Sequence, residues 1–334
     1  MGSRPSKSSV PEAVKSLRQK GHNYFNARNY NQARKCYEQA LDKIEAITYA
    51  SIEQDQFRCD VYVDICDTYR GQGKNSKADK FNQIARKIAL ELDDGIRIAK
   101  CLDRQGAIKS LKNDFTGALE YLKGSLELKL KILGDHNLDV AASYYNLGNI
   151  YQRQKIYDKA VSMHQKALDI RLTLRGRNHT DVANSYDLIG NAYRRQNKHI
   201  DALLMYQNAL TIRQELLGEY HADVADSYNN MGNAYKNQSM YDNALSTYQK
   251  ALEIYMKISG ENIPEVALLY RNMANVYEKQ DNTNDAAAMH KKLTAVKEKL
   301  KSEAENRKNV RNSKKQGGLI EEETEVMTDD ETFD

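Results

Sequence analysis

Residues 135–170 read DHNLDVAASYYNLGNIYQRQKIYDKAVSMHQKALDI, and the fold follows from their spacing. Val140, Tyr144, Leu147, Gly148 and Tyr151 recur at intervals of three and four, the signature of one helix face. A polar break at Gln154-Lys155 precedes Ala160, Val161, His164, Ala167 and Leu168, the apolar face of a second helix. The stretch is a helical hairpin. Gly148, Ala160 and Ala167 let the two helices approach closely, and Tyr151 fills the space beside them. A glycine in mid-helix costs about 1 kcal/mol relative to alanine, so its placement signals a packing requirement.

The same text returns at 177–212, 219–254 and 261–296, and Gly134, Gly176, Gly218 and Gly260 each stand 42 residues apart. Weaker copies lie upstream, through Gly106, Ala118, Tyr121 and Leu126; through Tyr69, Ala78, Phe81 and Ala85; and through Gly21, Tyr24, Ala33, Tyr37 and Leu41. The expected organisation is seven units near 14–47, 53–92, 95–134, 135–176, 177–218, 219–260 and 261–300. A disordered basic segment is expected over 1–13, and a basic then acidic tail over 301–334, disordered beyond 316. One hairpin cannot bury its apolar face alone, whereas a stack of seven builds a continuous core.

Composition agrees. The prolines are Pro5, Pro11 and Pro264, so no proline falls between Glu12 and Ile263, and the predicted class is all-α with glycine-led turns between units. Fifty Lys+Arg against 46 Asp+Glu give a net charge of +4, too balanced to imply nucleic acid. No apolar run reaches the length of a membrane span, and the four cysteines lack C-x-x-C or metal-ligand spacing. They read as reduced, buried thiols of a cytoplasmic protein. No nucleotide-binding, zinc-protease or hydrolase motif is present, so neither an enzyme nor a cofactor is expected.

The small-x-x-Tyr, then Ala-x-x-(Tyr/His)-x-x-Ala-Leu pattern resembles tetratricopeptide-repeat (TPR) proteins over roughly residues 14–300. The 42-residue period and the D-V-A opening at Asp139, Asp181 and Asp223 are most similar to the kinesin-light-chain subtype. L-G-N-x-Y at Leu147–Tyr151, echoed at Ile189–Tyr193 and Met231–Tyr235, is similar to scaffolds of the Pins type. The resemblance implies a right-handed α-solenoid whose first helices line a concave groove for peptides. It thus implies a scaffold or adaptor, with cargo adaptation of the kinesin-light-chain kind as a more specific version. Only about a dozen residues precede the first repeat, too few for that family's heavy-chain-binding coiled coil.

On each first helix the positions not needed for packing form a second stripe. The candidate groove residues are Tyr145, Asn149 and Arg153; Asp187, Asn191, Arg194 and Arg195; Asn229, Asn233 and Lys236; and Arg271 and Asn275. Asn149, Asn191, Asn233 and Asn275 repeat at 42-residue intervals although asparagine is a poor helix former. Two readings fit: amides that hold a bound peptide backbone, or hydrogen bonds internal to the repeats. The basic members would favour acidic peptides, or would simply be solvated helix surface. His164 and His290 share a column with Tyr206 and Tyr248 and are expected in the core, while Gln154, Gln196, Gln238 and Gln280 are expected to satisfy local backbone groups.

The chain begins Met1-Gly2-Ser3-Arg4-Pro5-Ser6, matching the M-G-x-x-x-[ST] pattern for lipidation at Gly2. Nearby Arg4, Lys7, Lys15, Arg18 and Lys20 could add an electrostatic membrane signal, so myristoylation would make the protein a peripheral membrane scaffold clustering a receptor or signalling protein. Residues 321–334 hold eight acidic residues and no basic one, readable as a solubilising tail or as a pseudo-ligand for the groove.

Overall fold

The computed structural model describes residues 9–47, 51–261 and 263–316. Among them lie fourteen helices and no strand. In order these are α1 (Glu12–Asn26), α2 (Tyr30–Glu45), α3 (Ile52–Gly71), α4 (Asn75–Glu91), α5 (Gly95–Leu111), α6 (Phe115–Leu133) and α7 (Leu138–Arg153). They continue as α8 (Tyr157–Arg175), α9 (Thr180–Arg195), α10 (His199–Leu217), α11 (Ala222–Asn237), α12 (Tyr241–Ser259), α13 (Pro264–Lys279) and α14 (Thr283–Gln316). Successive odd and even helices form the seven hairpins. Two compact units divide the chain, residues 1–212 and 213–334.

Within the first unit each helix from α1 to α9 packs on its neighbours in sequence, up to the pairing of α8 with α9. Small side chains sit at the crossings: Ala33, Ala78, Ala118, Ala160 and Ala202 are fully buried in the second helices. The glycine requirement is steric. A Cβ on Gly190 would stand 2.7 Å from the Tyr206 ring, and one on Gly148 2.5 Å from the His164 ring. The second unit repeats the device, with Gly232 2.5 Å from Tyr248 by the same measure.

The last hairpin departs from it, and His290 with it. Ala274 takes the place of the column glycine, so its Cβ fills the space the aromatic ring uses elsewhere. His290 is not the core residue its column predicts: its side chain is 48% exposed and meets Glu278 at 2.7 Å. Helix α14 continues past Leu300 to Gln316. At the other end α1 begins at Glu12, and Val10 is already buried.

The turns divide into two kinds. Between hairpins, Gly134, Gly176, Gly218 and Gly260 adopt φ of +74° to +79°, and at Gly134, Gly176 and Gly260 ψ is near 180°, a conformation that excludes other residues. Inside the hairpins the reversal uses left-handed residues that are mostly not glycine: Arg28, Asn113, Lys155, Asn197, Ser239 and Asp281, with Gly73 the exception. Turning therefore relies on glycine less than the sequence suggests. The four cysteines are buried and unpaired. No described helix is long and apolar enough to cross a membrane.

Candidate functional site

The first helices α7, α9 and α11 are anchored at their starts by contacts the sequence reading missed. Asn137 Oδ1 accepts the Asp139 N–H at 2.8 Å, and His179 Nδ1 and His221 Nδ1 accept those of Asp181 and Asp223 at 3.0 and 3.2 Å. The connector histidines are thus helix caps. A second anchor comes from buried cations of the preceding helix. Lys129 Nζ donates to Ser143 Oγ at 2.8 Å; Arg171 and Arg213 donate to Ser185 and Ser227, both at 2.7 Å. The signal was present in the sequence as Lys129, Arg171 and Arg213 at 42-residue intervals. Two of the four hairpin-turn glutamines act across repeats instead of serving local backbone: Gln196 donates to Asp158 at 2.8 Å and Gln280 to Asp242 at 3.2 Å.

With the helices so fixed, the asparagines separate into two groups. In the fifth hairpin Arg194 Nε donates to Tyr206 Oη at 3.4 Å, leaving the phenol hydrogen for Asn191 Oδ1 at 2.9 Å. In the sixth, Tyr248 donates to Asn233 Oδ1 at 2.9 Å. Burial pushes the Tyr206 phenol up to about 12, so it stays a donor. The fourth hairpin lacks this bond. His164 stands in the tyrosine column, is fully buried, and neither of its ring nitrogens has a hydrogen-bond partner among the described residues. Burial, then the Arg171 charge, pushes its imidazole down to about 4, so it is neutral at pH 7. Asn149 is left half-buried, its side chain without a hydrogen bond among the described residues, and Asn275 is likewise half-buried opposite the displaced His290.

The other sequence candidates are dispersed. Tyr145 is half-buried, edge-on to His164, with the Arg171 guanidinium 5.0 Å from its ring centre. Arg153 caps the preceding hairpin turn: it donates to the Ser110 carbonyl at 2.8 Å, to the Ser110 hydroxyl, and to Asn113 at 3.1 Å, and lies 4.8 Å over Phe115. Asp187 is buried; Asn229 accepts from Asn272 at 3.0 Å. Arg195 and Arg271 are exposed and Lys236 is half-buried. Gly2 and the acidic residues of 321–334 lie outside the described residues.

Two cavities open beside the first helices of the first unit. One, of about 630 Å³, lies between α5 and α7 and takes in Lys100, Arg104, Asn146, Asn149 and Arg153. A second, of about 460 Å³, reaches from Asn149 and Arg153 to Leu188 and Arg195. Toward α1 the same helix faces are closed by ion pairs that no sequence pattern had singled out. Arg18 meets Asp64 at 2.6 Å, Arg97 bridges Asp60 at 3.0 Å and Asp94 at 2.6 Å, and Arg104 meets Asp67 at 3.0 Å. Among the described residues no group of histidine, cysteine or carboxylate side chains could hold a metal ion.

Tandem hairpins with column glycines, capped first helices and polar clefts define a helical-repeat interaction protein. Sequence profiles of the tetratricopeptide repeat match residues 14–42 and, in overlapping pairs, 100–173, 139–215, 181–257 and 223–299. The chain belongs to the tetratricopeptide-repeat family. No curated protein sequence matches it significantly. Among solved structures, the apo form of RapI aligns with a TM-score of 0.71 at 15% identity, over 86% of this chain and 77% of that one. A Rap protein complexed with competence and sporulation factor aligns with a TM-score of 0.57 at 15% identity, over 87% and 78%. The repeats of a putative kinesin light chain from Podosopora anserina align with a TM-score of 0.55 at 16% identity, over 61% and 97%. At these identities the likeness is one of fold.

Proposed function

We propose that this protein is a non-catalytic scaffold that holds linear peptide segments of partner proteins along the face of its first helices. The observation that carries the reading is the pair of clefts beside α5, α7 and α9, lined by polar groups that hairpin packing leaves uncovered. Packing explains the glycine and tyrosine columns but gives Asn149 no role inside the hairpin. The structural neighbour in complex with competence and sporulation factor supports the same use of the fold. Arg195, exposed at the second cleft, adds positive charge there and favours acidic segments. Activity at a cytoplasmic location, and adaptation of cargo in the manner of kinesin light chains, are finer versions of this reading.

The test is capture of partners by the immobilised full chain from a peptide array, with Asn149, Asn191 and Asn233 replaced by alanine together. Loss of captured peptides, with helical content retained by circular dichroism, supports first-helix binding. Retention of the same peptides, and their loss instead on Lys250→Ala or Lys166→Ala on second helices, refutes it. A membrane-attached version rests on the Met1-Gly2-Ser3-Arg4-Pro5-Ser6 pattern alone. Fractionation of wild type and Gly2→Ala decides it: if both stay soluble, the anchored scaffold fails.

A further inference from the structure

Five cations line the cleft between α5 and α7, against two carboxylates. Four of the five are already engaged. Arg70 and Arg104 share Asp67, each at 3.0 Å; Lys129 holds Asp103 at 2.6 Å; and Arg153 is bound to the α5–α6 turn. Lys100 is the exception: half-buried on the cleft wall, its ammonium has no hydrogen bond or ion pair among the described residues. Opposite, on α7, Asn146 and Asn149 are half-buried and equally without hydrogen bonds. Ile96, Leu111, Leu122 and Ile150 supply apolar wall between them.

Asn149 is uncommitted for a specific reason. At Asn191 and Asn233 a tyrosine of the facing helix occupies the amide carbonyl, whereas at Asn149 the facing residue is His164, whose ring nitrogens bond to nothing. The repeat departs from its own pattern where the cleft lies. A partly desolvated ammonium, two amides with both donors and acceptors available, and apolar walls together suit one ligand chemistry. Resting on the scaffold reading above, we infer that the α5–α7 cleft is the selective subsite of the groove, taking an acidic side chain of an extended peptide on Lys100 and its backbone on Asn146 and Asn149. His164 is then a positioning residue, which leaves Asn149 available without touching the peptide.

The experiment is fluorescence anisotropy on the full chain with a labelled decapeptide of alternating leucine and glutamate, and its leucine–glutamine counterpart. Lys100→Ala is expected to weaken the glutamate peptide about tenfold and leave the glutamine peptide unchanged. Asn149→Ala is expected to weaken both peptides severalfold. His164→Tyr is expected to weaken both as well while raising the unfolding midpoint, because the added phenol claims Asn149; a merely misfolded variant would lose both. If the pocket variants bind normally while Arg195→Ala or Lys236→Ala abolishes binding, the subsite assignment falls and the groove reading survives. If neither peptide binds, or no first-helix substitution matters, both fall.

Discussion

Replacing His164 by tyrosine is the sharpest test of how these hairpins are held. At pH 7 the wild type buries a neutral imidazole whose N–H and lone pair are both unsatisfied, a cost of about 1–3 kcal/mol. The tyrosine variant places a phenol where Tyr206 and Tyr248 meet Asn191 and Asn233 at 2.9 Å, and the regained bond adds about 1 kcal/mol. A gain of about 2 kcal/mol near neutral pH is expected. The gap should widen in acid. Folded His164 titrates near 4 and an unfolded histidine near 6.5, so between these values the unfolded chain binds the extra proton. Stability of the wild type therefore falls as pH drops from about 6.5 toward 4, by about 2 kcal/mol at pH 5, and the variant loses this contribution. Urea unfolding of both proteins at pH 7.5 and pH 5, followed by circular dichroism, measures the difference; because repeat arrays need not unfold in two states, the early transition is compared directly. A difference that does not grow between the two pH values would refute the buried, unbonded imidazole. His164→Phe separates the two contributions, since it removes the titration without restoring the bond to Asn149.

Other expectations follow from the same contacts. Gly190→Ala puts a Cβ 2.7 Å from the Tyr206 ring and should destabilise by about 1–3 kcal/mol in spite of the better helix former, read as a lower thermal midpoint. Ser185→Ala deprives the buried Arg171 guanidinium of its hydroxyl acceptor and should cost about 1–3 kcal/mol in denaturant unfolding; no loss would mean that this anchor is redundant. Asn191→Ala removes the acceptor of the Tyr206 phenol, so it should lower stability by about 1 kcal/mol yet change peptide affinity less than Asn149→Ala does. Equal losses of affinity at the two sites would remove the distinction between a structural and a ligand-facing amide.

Much of the architecture was legible because a 42-residue period is a statement about packing. Gly148, Gly190 and Gly232 could be read as close approaches, and the structure shows which ring fills each one. The same logic failed at His290, since column membership says nothing of the residue across the hairpin: with Ala274 in place of glycine the ring has no room. The asparagine stripe was visible, but its division was not, because Asn149 and Asn191 differ only through a residue fifteen positions on. Lys100 could not be picked out at all. Its helix belongs to a degenerate upstream copy, and a lysine becomes notable only when its neighbours are seen to be paired and it is not. Arg153 shows the converse, a repeat-borne cation that the fold spends on capping a turn.

The hairpin reversals have a consequence for how far this molecule lies from its own stability limit. Arg28, Asn113, Lys155, Asn197, Ser239 and Asp281 all hold the left-handed conformation in which an L side chain crowds its own backbone. Each sits at the tip of a separate hairpin, about 42 residues from the next from Asn113 onward. Glycine at such a tip relieves about 1 kcal/mol of steric cost, partly offset by the greater freedom it gives the unfolded chain. Gly73 shows that the geometry accepts it. Lys155 lines the second cleft and Asn113 holds the cleft residue Arg153, so it is Arg28, Asn197, Ser239 and Asp281 that carry a distributed reserve outside the core and the two clefts, where thermal robustness is open to adjustment without disturbing recognition.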